Sequence, residues 1–329
     1  MIGPQNGQDY VIIFFVLSGF VIAWSVDKKT PITFSQYTFE RLTRLWSVAV
    51  PALAVGFLLD WMGQQIHPAT YGSIVSGNYQ GTKILISSLF LHESWFFSIR
   101  PGSNAPFWSL SYEFFYYLIF GAFMLLPGIK NKILVGGLGI LIAGPKIILL
   151  LPCWLLGVIT YYACKKFRPN TLIASLLVVL IGVLFAKIMY YRWEHWHPWD
   201  IPGLGLAPLF YSAKFLDDYI IAILSATLIF GFSRWFTLSS PSKSLIQRTF
   251  RHLAGCSFSL YAFHFPIMVL LGALWSANHI TFLGIKSGIL VVLICCYLFS
   301  IIFERPLSKF RSLVRYFFPK LSSKCGIYS

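Results

Sequence analysis

Apolar residues run together for 12 to 22 positions at a time along most of this chain, and polar residues collect in the gaps. Nine such runs are legible, at 10–26, 45–62, 107–126, 133–144, 147–163, 172–189, 219–232, 258–275 and 282–303. A helix rises 1.5 Å per residue, so about 20 apolar residues cross a bilayer core about 30 Å thick. The pattern therefore predicts an all-α, polytopic helical membrane protein with about nine transmembrane helices. The run at 133–144 is the shortest of the nine, and Pro145 and Lys146 turn it into the next. A tenth apolar stretch, 84–97, is also short and carries His92 and Glu93, so it reads as a re-entrant or interfacial segment.

Composition narrows the class. The 329 residues are 57% apolar, 18% aromatic and 11% charged, whereas soluble domains carry about 25% charged residues. A disordered chain, a coiled coil and a soluble enzyme are excluded. The formal charge is +15, from 26 Lys and Arg against 11 Asp and Glu. Nineteen of the 26 basic residues fall in five segments, 28–44, 130–132, 165–168, 234–251 and 305–324, that alternate along the nine runs and share one side. Basic loops stay on the cytoplasmic side during insertion, so the charge reads as topology and not as a nucleic-acid partner. The domain reading is a membrane domain over 1–303 and a basic cytoplasmic tail over 304–329, lying on the membrane surface without chemistry of its own. The six cysteines form no Cys-x-x-Cys pair and sit mostly in apolar runs. They read as small hydrophobes, and no metal site is expected.

Few residues could carry chemistry. Arg41 and Arg44 stand three apart just before the second run, on one helix face. Their planar forks suit phosphate oxygens, although spacing alone favours a positive-inside stop or a lipid-headgroup contact. Glu113 is the one carboxylate read as lying deep inside a run. Ser109, Tyr116 and Tyr117 share its helix face, and Ser103 or Asn104 is placed to cap the helix ahead of Pro106. An ionisable group in that position is by default a functional candidate, and the alternative is a protonated Glu in a structural hydrogen bond. His264 has Tyr261 three residues earlier on its face and Pro266 two residues later. It is a candidate base, or a core histidine satisfied by a carbonyl at a proline kink. The pair Ser18-Gly19 reads as helix packing, and His195-x-His197 as an aromatic-rich loop lacking a third metal ligand.

Four blocks occur in order: Ile13-Phe-Phe-Val-Leu-Ser-Gly-Phe-Val-Ile22, the Arg41/Arg44 pair, Phe107-Trp-Ser-Leu-Ser-Tyr-Glu-Phe-Phe-Tyr116 and Phe258-Ser-Leu-Tyr-Ala-Phe-His-Phe-Pro266. Together they resemble the acyltransferase 3 family of bacterial membrane O-acyltransferases. The resemblance implies a ten-helix fold in the bacterial inner membrane. It also implies transfer of an acyl group, usually acetyl from acetyl-CoA, to a hydroxyl of a cell-envelope glycan or a small molecule. Arg41 and Arg44 would hold the CoA phosphates, Glu113, Tyr261 and His264 would line the central site, and Trp108 would support the entrance to the helix. The family's first helix carries a basic residue and, eleven positions later, a catalytic His; no His here has Lys or Arg at that spacing. The nine runs match the family's ten less the first. The expectation is that the missing helix is encoded upstream and that these 329 residues alone are inactive. A degenerate, non-catalytic homologue is the rival, and a transporter or flippase using Glu113 and His264 is the alternative from another class.

Overall fold

The computed structural model describes residues 7–72, 74–75, 79–167, 169–194, 207–234, 249, 252–278 and 285–317. In chain order the α-helices are α1 (Gly7–Lys28), α2 (Phe34–Ile66), α3 (Pro68–Tyr71), α4 (Gln80–Ser88), α5 (Trp108–Leu125), α6 (Ile129–Ala143), α7 (Pro145–Lys166), α8 (Thr171–Glu194), α9 (Phe215–Phe232), α10 (Ser257–Asn278), α11 (Ile285–Phe299) and α12 (Leu307–Phe317). Among the described residues no strand occurs, and each of the nine expected runs is helical. Among the described residues seven segments are long and apolar enough to cross a bilayer: 7–28, 34–66, 145–166, 171–190, 208–232, 257–277 and 286–304. The chain is an all-α polytopic membrane protein.

Two of the nine runs depart from a simple span. The 15 residues of α6 rise only about 22 Å. The 18 residues of α5 rise about 27 Å, but Ser109, Ser111, Glu113 and three tyrosines lower its apolarity. Protein takes the place of lipid around that helix: Ser109, Ser111 and Glu113 are all buried. The stretch 84–97 does not cross. It comprises the end of α4 and a loop in which His92 Nε2 faces the Phe107 carbonyl at 3.2 Å. In the same loop Glu93 accepts from Ser98 Oγ at 2.7 Å.

The described helices form two compact units. The first gathers α1, α6, α7, α8 and α9 with the segment Ser94–Phe96. Its tightest joint is α1 on α7, where Gly19 faces the Trp154 carbonyl and Gly157 faces the Val16 carbonyl so closely that neither site has room for a Cβ. Trp154 Nε1 donates to Ser18 Oγ at 3.2 Å, so the Ser18-Gly19 pair does serve helix packing. At one end of this joint Asp27 accepts from Tyr161 at 2.6 Å and from Lys165 at 2.8 Å. The outer surface of α8 shows Leu172, Leu176, Val179, Leu180 and Val183, as a lipid-facing helix must.

The second unit gathers α2 to α5 and α10 to α12. Leu45, Val48, Ala49 and Leu53 of α2 form its core with Phe90, Phe107, Leu110, Phe258, Phe263 and Ile267. Phe263 of α10 packs on Phe299 at 4.6 Å between ring centres. Within the region read as a tail, the described helix α12 packs on α2 in this unit. All five residues singled out for chemistry lie in this unit.

Candidate active site

The site is built on α5. A single 3-10 turn, Ala105–Phe107, leads into the helix with Pro106 at its start. Neither Ser103 nor Asn104 caps it, contrary to expectation: Asn104 makes no side-chain cap, and its Nδ2 donates to the Ala262 carbonyl at 2.9 Å. The reason lies four residues along α10. Pro266 has no N–H, so the Ala262 carbonyl loses its helical donor, and Asn104 supplies one from another helix. Replacing Asn104 with Leu is expected to cost about 1–3 kcal/mol. Adding Pro266→Ala, which restores the helical N–H, is expected to recover most of that loss. Thermal unfolding of the two single variants and the double variant in detergent checks this, and strict additivity would contradict it.

Two stripes run along α5 at a spacing of four. Trp108, Tyr112 and Tyr116 form an edge-to-face ladder with ring centres 5.0 and 6.2 Å apart. Beside it, Ser109, Glu113 and Tyr117 form a polar stripe about 12 Å long. The Tyr117 hydroxyl donates to Glu113 Oε1 at 2.6 Å, and Glu113 is only 2% exposed. Ser109 Oγ and the Tyr261 hydroxyl of α10 are 2.6 Å apart. Tyr261 also contacts the Pro106 carbonyl. A carbonyl only accepts, so Tyr261 donates there and Ser109 donates to Tyr261.

The arginines meet the stripe at its Tyr117 end. Thr33 Oγ1 caps α2 by accepting from Gln36 N at 3.2 Å, and Arg41 and Arg44 follow two to three turns into the helix. Arg41 lies over the Tyr37 ring at 5.6 Å. It lines a cavity of ≈ 80 Å³ with Tyr37, Thr38, Phe114 and Tyr117. Arg44 Nη2 is 3.7 Å from Glu304, whose other oxygen accepts from Ser259 N at 2.9 Å. The Arg41 cavity and Glu113 are thus joined through one residue, Tyr117.

His264 stands elsewhere along α10. Its Nδ1 faces the Leu260 and Tyr261 carbonyls at 3.0 and 2.9 Å. In the neutral ring that nitrogen must donate, which assigns the lone pair to Nε2. His264 and Tyr261 are neighbours, with ring centres 6.3 Å apart. Glu113 and His264 are not brought together as a bonded pair: Glu113 takes Tyr117 of its own helix, and His264 takes the carbonyls of its own.

Several buried polar groups escaped the sequence reading. Glu113 is not the one carboxylate inside a helix, since Asp60 of α2 is 3% exposed and its Oδ2 accepts from Ser103 N at 2.8 Å. Asp60 also lines a cavity of ≈ 220 Å³ with Phe57, Trp61, Gln64 and Gln80, about 28 Å along α2 from Arg41. In the first unit Asp9, Asp217, Asp218 and Lys146 are buried as well, with Gln8 Nε2 on Asp218 Oδ2 at 2.8 Å. The paired acids that open α9 were a visible signal for that cluster. His195 and His197 lie outside the described residues.

Comparison with known proteins bears on the family of the chain. The family model described as "Acyltransferase domain" matches residues 7–302, nearly the whole chain. A stretch of 117 residues is 37% identical to a protein named Acyltransferase MdmB from Streptomyces mycarofaciens. That stretch is 35% of this chain and 27% of the relative, so the chain spans about a quarter of the length of the curated relative it matches. No solved structure matches. Four sequence blocks, an all-α polytopic fold and a match across 7–302 converge: the chain belongs to the acyltransferase 3 family.

Proposed function

We propose that the protein transfers an acyl group, acetyl in the simplest case, from acyl-CoA to a hydroxyl of a cell-envelope glycan or a small molecule. In this reading it sits in a bacterial inner membrane with the arginine end of α2 in the cytoplasm. The single observation that carries the reading is the continuity of the Arg41 cavity with the Tyr117–Glu113 hydrogen bond. A phosphate-binding fork and a buried carboxylate are linked through one side chain.

The chemistry would proceed along the α5 stripe. Arg41 and Arg44 take the CoA phosphates, where two planar forks match anionic oxygens. The thioester then points along Ser109, Glu113 and Tyr261, a dry region where hydroxyl dipoles act at low dielectric. Attack needs a base to remove the acceptor proton as oxygen bonds to the carbonyl carbon; the C–S bond then breaks and CoA leaves as a thiolate, which takes that proton back from the base. Among the described residues His264 Nε2 and Glu113 are groups able to orient or relay that proton, and neither stands at the spacing of the family's first-helix base. The acceptor would enter from the other end of α2, where Asp60, Gln64, Gln80 and Trp61 offer hydrogen bonds and an apolar face to a polyhydroxylated molecule.

Saturable binding of coenzyme A to the purified protein, lost when both arginines are replaced, is the test of this reading. A transporter would instead move a polar solute and ignore CoA. The match of the acyltransferase family model across residues 7–302 favours the acyltransferase.

A further inference from the structure

The sequence placed nothing of chemical interest beyond residue 303, yet α12 brings two more arginines to the Arg41/Arg44 end of α2. Arg311 Nε donates to Thr43 Oγ1 at 3.1 Å and Arg311 Nη2 to the Glu40 carbonyl at 3.1 Å. Arg315, one turn on, lies over the Phe39 ring at 5.3 Å. Thr43 and Phe39 are also one turn apart, so α12 runs antiparallel to α2 over this stretch and lays its Arg311/Arg315 face on it. Leu307, Phe310, Arg311, Val314 and Arg315 are partly buried along that face. On the opposite face Leu313, Tyr316 and Phe317 are exposed, as an interfacial helix presents them to a bilayer surface.

The charge balance of this corner is unusual. Arg41, Arg44 and Arg315 all lie within electrostatic reach of Arg311, with Glu40 as the opposing charge. Burial first, and then these like-charged neighbours, pull the Arg311 guanidinium below its ordinary value, while Glu40 holds it up. Glu304 supplies one further carboxylate, against Arg44. Four guanidiniums thus share this corner with Glu40 and Glu304, and with Glu113 on the far side of Tyr117. Like charges held this close repel, and an arrangement of this kind is stabilised by an added anion with several oxygens.

We propose that Arg311 and Arg315 of α12 complete, with Arg41 and Arg44, a single four-guanidinium site for a phosphate-dense anion of the diphosphate class. The ligand identity rests on the donor reading above: CoA carries such a group, and so does the headgroup layer of an anionic bilayer. The helix at the chain's C-terminal side is then part of the donor site, and its docking on α2 orders the arginines before the ligand arrives.

The test titrates coenzyme A, and separately phosphatidylglycerol-containing vesicles, against the purified protein and against Arg311→Gln, Arg315→Gln and Arg311→Lys. Thermal unfolding of each variant confirms that it is folded. Arg311→Gln is expected to weaken CoA binding about 10-fold or more, since a hydrogen bond to a charged group is lost. Arg311→Lys should fall between, because it keeps the charge and loses the fork. Unchanged CoA affinity in the folded glutamine variants, with binding still abolished by replacing Arg41 and Arg44, would overturn this inference and leave the donor reading standing. Vesicle binding that depends on Arg311, with no CoA binding by any form, would keep the phosphate site and sink the donor reading. Dependence of neither ligand on Arg311 would overturn the site itself.

Discussion

Replacing both Arg41 and Arg44 with Gln is expected to weaken coenzyme A binding by about 100- to 10,000-fold. Each arginine would contribute hydrogen bonds to a charged group, worth about 1.5–3 kcal/mol per residue, and 1.4 kcal/mol is tenfold in affinity. The fold should survive the change. Arg44 is 46% exposed on its side chain, and its partner Glu304 keeps the Ser259 backbone as a second hydrogen-bond donor. The two lysine substitutions should do less harm than the two glutamines, retaining charge but not bidentate geometry. Salt should mimic the mutation in part, because screening acts on the exposed arginine. Isothermal titration at two ionic strengths checks the series. Affinity unchanged in the double glutamine variant would mean that the arginines serve topology alone.

Glu113→Gln is expected to reduce acyl transfer about 100- to 10,000-fold with little change in CoA affinity, the range general acid–base groups supply. The isosteric amide keeps an oxygen to accept from Tyr117, so the 2.6 Å hydrogen bond has a successor and packing is preserved. Proton transfer at that position is removed. The comparison is made in a form of the protein that turns over, by following labelled acyl group into acceptor. Glu113→Ala is a poorer probe, since it takes this acceptor from the partly buried Tyr117 hydroxyl and confounds chemistry with stability. A normal turnover rate in Glu113→Gln would reduce Glu113 to a structural hydrogen bond.

Much of this was legible in the sequence. Length and apolarity locate helices because a bilayer offers no partner for an exposed backbone group, and all nine runs are helical. The spacing of four puts Ser109, Glu113 and Tyr117 on one face before any coordinate is known. What spacing leaves open is which neighbour a side chain chooses. Ser109, Tyr116 and Tyr117 all share the face of Glu113, and Ser109 is drawn instead to Tyr261, 152 residues away. Asp60 was passed over because the amide that holds it comes from Ser103, 43 residues away. Asn104 read as a helix cap, the local use of its side chain, until Pro266 left a carbonyl in α10 for it to satisfy.

The tail shows the same limit most clearly. Its basic residues carry a local signal for a membrane surface, and the exposed Leu313, Tyr316 and Phe317 fit that signal. Arg311 reaches Thr43 across 268 positions, and no periodicity within the tail encodes that contact. The positive-inside pattern and a phosphate site draw on the same residue types, so charge counting alone assigns the arginines to topology.

The central claim is that the acyl chain of a CoA bound at the arginine end lies along the α5 stripe. An acyl-CoA bearing a diazirine in its acyl group, irradiated with the purified protein and mapped by mass spectrometry, tests this most directly. The account predicts labelling of α5 around Ser109–Glu113 and of α10 around Tyr261–His264, suppressed by excess CoA and by replacing Arg41 and Arg44. Labelling confined to lipid-facing positions of α8, or insensitive to competing CoA, would contradict it.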